Sequence, residues 1–212
     1  SSNVLEAIGD TFTNEKSVLQ KQLDKAGICF LHAPLFHPAM DKVASIRKEL
    51  AVRTFFNLLG SVVNPCFPKY RLLCVCSMEM LRLYNYLLQD VSADYSIVHS
   101  LDGYDEVSLT ADFKLVSKNK ELLISPADIG FTRLQQVDLL GGSTVDAAAR
   151  LFLNVLKGNG TAAQNNAVIV NAAVAINCVN ADLPLTDCIL QANESLKSKK
   201  ALEVYKKLIA LH

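Results

Sequence analysis

The sequence predicts an α/β fold, a mainly parallel sheet flanked by helices, on three observations. Short apolar runs of strand length recur along the chain, and between them apolar residues return at three- and four-residue spacing, as on one face of a helix. Strands alternating with helices are the pattern of parallel neighbours joined by helical crossovers, with room for an antiparallel edge. Of 212 residues, 50% are hydrophobic and 20% charged, which is globular and long enough for a sizeable core, in one domain or one and a fraction.

Taken in order, Thr13 is placed to cap a helix carrying Val18, Leu19, Leu23 and Ala26 on one face and stopped by Gly27. Gly27 to Leu31 is a brief apolar run that reads as a buried strand, ended by Ala33-Pro34. Phe36-His37-Pro38 opens the next helix, Pro38 suiting the first helical position, where a missing N–H costs little. On that helix Met40, Val43, Arg47 and Leu50 share a face. The arginine on this stripe has two readings. Its stem packs while its head snorkels to water, or its rigid fork is aimed at a bound carboxylate.

Leu72 to Cys76 reads as a strand, Ser77 as the cap of a helix reaching about Asp90, and Tyr95 to His99 as a further strand. Phe113 to Val116 and Leu122 to Ile124 are expected as edge strands around a charged turn. From Ser143 the chain turns helical, Ser143 and Asp146 forming a capping-box-like start and Gly158 the stop. The helix from Thr161 is rich in alanine and valine nearly all round and belongs in the core. Its run from Ala162 to Cys178 is interrupted by Asn165, Asn166, Asn171 and Asn177, too polar and slightly short for a membrane span of ~20 apolar residues. LKSKKALEVYKKLI is expected as one amphipathic terminal helix with a solvated lysine face.

Lysine plus arginine equals aspartate plus glutamate, 21 each, which argues against bulk nucleic-acid binding while leaving room for a local cationic pocket. The six cysteines form no CxxC pair, and all but Cys66 sit in apolar runs. They read as reduced thiols of a cytoplasmic protein, and no secretory leader is visible at Ser1. Asp105 and Glu106 adjoin in LDGYDE, with Asp102 close by. An Asp-Gly between apolar runs is a hairpin signal, so a solvated acidic turn is one reading. The other is a pair of hard oxygen ligands for magnesium. His99, at a strand end just before this turn, reads as structural.

GICFLHAP, HPAM, VASIRKEL and RTFFNLLGSVVNP follow one another from Gly27 to Pro65, and they resemble successive motifs of the anthranilate phosphoribosyltransferase family. SSNVLEAIG at the start, then LNVLKG, NNAVIVNAAVAI and KKALE, extend the resemblance over essentially the whole chain. It implies a nucleoside phosphorylase/phosphoribosyltransferase-like catalytic domain over residues 1–36 and 66–212, with 37–65 a helical segment packing with a small helical domain. It also implies transfer of phosphoribosyl from phosphoribosyl pyrophosphate to anthranilate in tryptophan biosynthesis. His37 and Arg47 would line the anthranilate site with Gly60 beside it, Ser1 would contact the donor, and Asp105 and Glu106 would bind Mg2+. Such catalysis is electrostatic and positional, so no side chain is assigned as nucleophile.

The resemblance further implies a cytoplasmic enzyme that is a homodimer when complete, with no membrane or nucleic-acid partner. The family's upstream GTGGD loop and KHGN motif do not occur in these residues. This chain is therefore expected to be inactive alone, an associated N-terminal fragment being the partner that would supply the pyrophosphate cradle. The departures are Asn3 for aspartate, His32 for an apolar aromatic, Ala51 for glycine, Ser61 for proline and Lys199 for glycine. Two alternatives stay open. A pyrimidine-nucleoside phosphorylase shares the fold and the SSxVLEAxG-like segment, but HPAM, IRKEL, FNLLG and the acidic pair favour the transferase. A non-catalytic nucleic-acid-binding relative is opposed by the zero net charge.

Overall fold

The computed structural model describes residues 2–37 and 63–211. Ser1, Pro38, Met40, Val43, Arg47, Leu50, Ala51, Gly60 and Ser61 lie outside the described residues, and with them the expected helix after His37. In chain order the described elements are α1 (Ser2–Ala7), α2 (Lys16–Ala26), α3 (Ala33–Phe36), β1 (Tyr70–Cys74), α4 (Met78–Leu88), β2 (Asp94–Ser100), β3 (Phe113–Ser117) and β4 (Lys120–Ile124). Two 3₁₀ turns follow, Pro126–Ile129 and Gln136–Leu139, then α5 (Val145–Leu156), α6 (Ala162–Val179), α7 (Leu185–Lys197) and α8 (Lys200–Ile209). They fall into two compact units. One comprises Ser1–Phe67, Ser143–Leu153 and Ala201–His212, the other Pro68–Gly142 and Asn154–Lys200.

The second unit is built on a four-stranded sheet in the order β1-β2-β3-β4. β1 and β2 pair in parallel, with Leu73 opposite Ile97. β2 and β3 are antiparallel, Val98 opposite Leu115, as are β3 and β4, Leu115 opposite Leu122. The α/β class is as expected, but the sheet is mixed rather than mainly parallel among the described residues. The reason is local: only the two turn residues Lys118 and Asn119 separate Ser117 from its partner Lys120, and so short a link permits only an antiparallel neighbour. It also makes β3 an inner strand, not the expected edge.

β2 is buried from Tyr95 to Ser100, as a strand covered on both faces should be. Val98, Val107, Leu109, Phe113, Val170 and Val174 form the centre of the core, each such side chain contributing about 1.5–3 kcal/mol by leaving water. Ser77 caps α4 by accepting from the Met80 N–H at 3.3 Å, as expected from its position. Thr161 caps α6 in a reciprocal box: it accepts from the Gln164 N–H, and the Gln164 side chain accepts from the Thr161 N–H at 3.0 Å. Among the described residues, α6 is the one helix long and apolar enough to cross a membrane. Here one face of it is buried, with Val170 and Val174 packed beside Val98 and Leu115, while Val168 and Val179 on other faces are exposed, so it does not lie in the core all round as expected.

In the first unit, Gly27 ends α2 in the left-handed conformation (φ 77°), its N–H donating to the Leu23 carbonyl at 3.0 Å. Several expectations are corrected. Thr13 does not cap α2: it accepts from the Glu15 N–H at 3.0 Å, a local turn that delays the helix to Lys16. The buried face carries Gln22 and Ala26, while Leu23 is 46% exposed. Gly27 to Leu31 is not a strand, since no described strand pairs with it. An apolar run of this length takes its form from a neighbour it can bond to. Thr144, not Ser143, caps α5 by accepting from the Ala147 N–H at 3.1 Å. The terminal run is two helices, broken at Ser198 and at Lys199, whose φ is 63°.

Candidate functional site

The acidic turn follows the C-terminal end of β2, where open α/β sheets collect ligands. Gly103, at φ 96°, lets the chain reverse: its N–H donates to the Ser100 carbonyl at 3.0 Å, and the Ser100 N–H donates to the Tyr104 carbonyl at 3.1 Å. The side chain of Asp102 is spent inside the loop, accepting from the hydroxyls of Ser108 and Thr110. That leaves Asp105 and Glu106 as the acids turned to solvent at the loop's crest. Among the described residues no ion pair engages either of them.

Among the described residues no ion pair compensates their charge. Partial desolvation, and then the neighbouring Asp105, push the Glu106 carboxyl above the usual carboxylate range. Nearby, burial and then the charges of Glu106 and Asp105 push the Cys74 thiol up to about 12, which keeps it an inert neutral group at the end of β1. Two adjacent carboxylates, one of them partly desolvated, repel one another and attract a hard cation. Among the described residues no three histidine, cysteine, aspartate or glutamate side chains are grouped to hold a metal by themselves. A cation held by the pair would therefore complete its shell with other oxygens.

The loop is fixed by bonds from outside it. The buried Ser100 hydroxyl donates to the Glu106 carbonyl at 2.7 Å and accepts from the Ser108 N–H at 3.1 Å. From α6, Asn171 accepts from the Val107 N–H through Oδ1 and donates to the Val107 carbonyl through Nδ2, both at 2.9 Å. Leu109, fully buried, is held at φ 61°, a conformation a branched side chain adopts only when its surroundings impose it. Sequence reasoning treated Asn171 as an interruption of an apolar helix. That polar residue amid NNAVIVNAAVAI was the signal available.

His99 is buried near the end of β2, its Nδ1 2.9 Å from the Val75 carbonyl. A carbonyl only accepts, so Nδ1 carries the proton and the ring is structural, as expected. Of the residues expected at the anthranilate site, His37 is described. It follows α3, its N–H donating to the Ala33 carbonyl at 3.0 Å, and its Nε2 donates to the Val63 carbonyl at 3.0 Å. In the neutral ring this leaves Nδ1 as the available acceptor. Arg47, Gly60 and Ser1 lie outside the described residues. His32, which stands where an apolar aromatic was expected, stacks on Phe12 with centroids 4.5 Å apart and planes at 12°.

Comparisons with known proteins add three findings. The chain is 52% identical over 208 residues to the anthranilate phosphoribosyltransferase of Flavobacterium psychrophilum, an alignment covering 98% of this chain and 63% of that protein. To that of Bacteroides fragilis it is 48% identical over 212 residues, 100% of this chain and 64% of the relative. This chain thus spans about 63% of the length of the curated relatives it matches. Among solved structures, anthranilate phosphoribosyltransferase from Thermus thermophilus superposes with a TM-score of 0.89 at 30% identity, covering 99% of this chain and 63% of that one. The enzyme from Saccharomyces cerevisiae in complex with PRPP and Mg gives 0.88 at 25% identity, covering 99% and 60%. The description "Glycosyl transferase family, a/b domain" matches residues 1–202. With a mixed α/β sheet and an acidic turn at its strand ends, over a match that spans nearly all of its length, this chain belongs to the glycosyl transferase family through its a/b domain.

Proposed function

We propose that the full-length protein is an anthranilate phosphoribosyltransferase, transferring phosphoribosyl from phosphoribosyl pyrophosphate to anthranilate in tryptophan biosynthesis. The observation that carries this reading is the 52% identity with a protein of that name over 98% of the chain. On this reading residues 1–36 and 66–212 belong to the catalytic domain, and 37–65 form the helical segment that packs with a small helical domain. The enzyme works as a cytoplasmic homodimer.

The roles follow from the chemistry of the side chains. Asp105 and Glu106 hold Mg2+, and the residues fit the ion: two carboxylates without a cationic partner among the described residues, presented at strand ends. When bound, the ion neutralises charge on the leaving pyrophosphate. Arg47 pairs its fork with the carboxylate of anthranilate, and His37 lines the same pocket with Gly60 beside it. Ser1 contacts the phosphoribosyl donor. The nucleophile is the amine of the substrate, so these residues bind and orient, and none forms a covalent bond.

The test is a coupled pair of assays on purified full-length protein. With phosphoribosyl pyrophosphate and magnesium present, anthranilate fluorescence should fall as its amine is substituted, and chelation should stop the loss. Phosphorolysis of uridine or thymidine with no consumption of anthranilate would overturn the reading in favour of a nucleoside phosphorylase.

A further inference from the structure

We propose that Asn171 is a positioning residue for the acidic turn, setting the place from which the Glu106 side chain extends by holding the Val107 peptide. This rests on the magnesium reading of Asp105 and Glu106. The two peptide units after Glu106 carry four polar groups, and two side chains account for all of them. Ser100 holds the Glu106 carbonyl at 2.7 Å and the Ser108 N–H at 3.1 Å. Asn171 holds the N–H and the carbonyl of Val107, both at 2.9 Å, and anchors its own Nδ2 on the Ala167 carbonyl at 2.9 Å. Backbone groups beside a 1% exposed residue need such partners.

A side-chain amide is the group that offers a donor and an acceptor side by side, so it pairs with a peptide as a neighbouring strand would. Here that amide stands on α6 next to Val170 and near Ala173, both fully buried, so its own position is fixed by the core. Val107 is equally buried, and its carbonyl and N–H point at one rigid object. Holding these peptide units fixes the Glu106 Cα, and with it the point from which the Glu106 side chain leaves the loop. Partners of metal-binding carboxylates that act this way tune affinity without touching the ion.

The experiment uses full-length protein with phosphoribosyl pyrophosphate and Mn2+ as a paramagnetic probe, comparing Asn171→Leu, Asn171→Ser and the double variant Asp105→Asn/Glu106→Gln. Leucine keeps the volume and removes both bonds. Serine leaves space for a bridging water and is the variant to read should leucine fail to fold. The substitution should weaken Mn2+ binding by about tenfold, the low end for loss of an outer-shell partner. It should also speed hydrogen exchange at the Val107 amide and leave the KM for anthranilate unchanged. Mn2+ affinity within twofold of the parent, in a variant whose thermal midpoint alone has dropped, would overturn the positioning role and leave Asn171 a folding residue. If the double variant also binds Mn2+ as the parent does, the acidic pair is not the metal site and both proposals fall. If the double variant loses the ion while the Asn171 variants keep it, only the positioning role does.

Discussion

The loop from Leu101 to Thr110 and the segment from Gly27 to His37 both lead toward proposed substrate contacts, yet they are held differently. The acidic loop is tied from outside, by a hydroxyl at the end of β2 and an amide from α6, and it carries a buried leucine at φ 61°. The other segment has no ladder partner among the described residues. Among the described residues its ties include a ring stack between Phe12 and His32, one bond from Asn14 to the Leu35 carbonyl at 3.5 Å, and the His37 to Val63 bond. Hydrogen bonds to backbone fix direction, whereas stacking fixes only contact and tolerates adjustment. Four such bonds hold two adjacent peptide units of the acidic loop, whereas among the described residues the other segment has two, at Leu35 and His37, beside its stack.

The sharpest way to test that contrast is to remove charge from the directed loop. Changing Asp105 to Asn and Glu106 to Gln keeps every loop bond described above and deletes the proposed ligands. In the full-length enzyme kcat should fall by about 100-fold or more, as when transition-state charge loses its stabilisation, with a shifted magnesium dependence. Stability should move the other way. The Glu106 carboxyl is raised by desolvation and by Asp105, so its folded state favours the protonated acid. The stability it contributes is fully present below the unfolded carboxylate pKa and is lost as pH rises through the folded one. Without metal, the double variant should therefore melt slightly above the parent at neutral pH, the gap closing in acid. Unchanged magnesium dependence would show the loop to be a solvated turn after all.

In the stacked segment a smaller response is expected. His32→Ala should cost about 1 kcal/mol, the scale of an aromatic pair, and His32→Phe should restore it, as read by urea unfolding. A phenylalanine that rescues nothing would mean that the ring's nitrogens matter more than its face. The smallest effect concerns Lys199, at φ 63° between α7 and α8. Replacing it with glycine removes the Cβ penalty of the left-handed conformation and should stabilise by about 0.5–1 kcal/mol. A loss of stability there would mean that the lysine stem contributes packing.

What was legible in the sequence was what neighbouring residues decide among themselves. Ser77 caps its helix as read, because a cap bonds to an N–H three residues on, and Thr161, where a helix was read to begin, caps α6 in the same way. Gly27 stops α2, since its left-handed φ is a property of one residue. The turn at Asp102-Gly103 was legible for the same reason, as was the charged turn between β3 and β4, whereas the metal role of Asp105 and Glu106 came only from the resemblance. What the tertiary structure alone decided depends on a partner far along the chain. Gly27 to Leu31 has strand composition but no ladder among the described residues, and β3 became an inner strand when β4 folded back beside it. The break at Lys199 was hidden because a lysine stands where a glycine would have marked it. Most of all, the bond between Asn171 and Val107 joins residues 64 apart. No periodicity or spacing encodes such a contact, because it forms only when packing brings a helix face and a loop together.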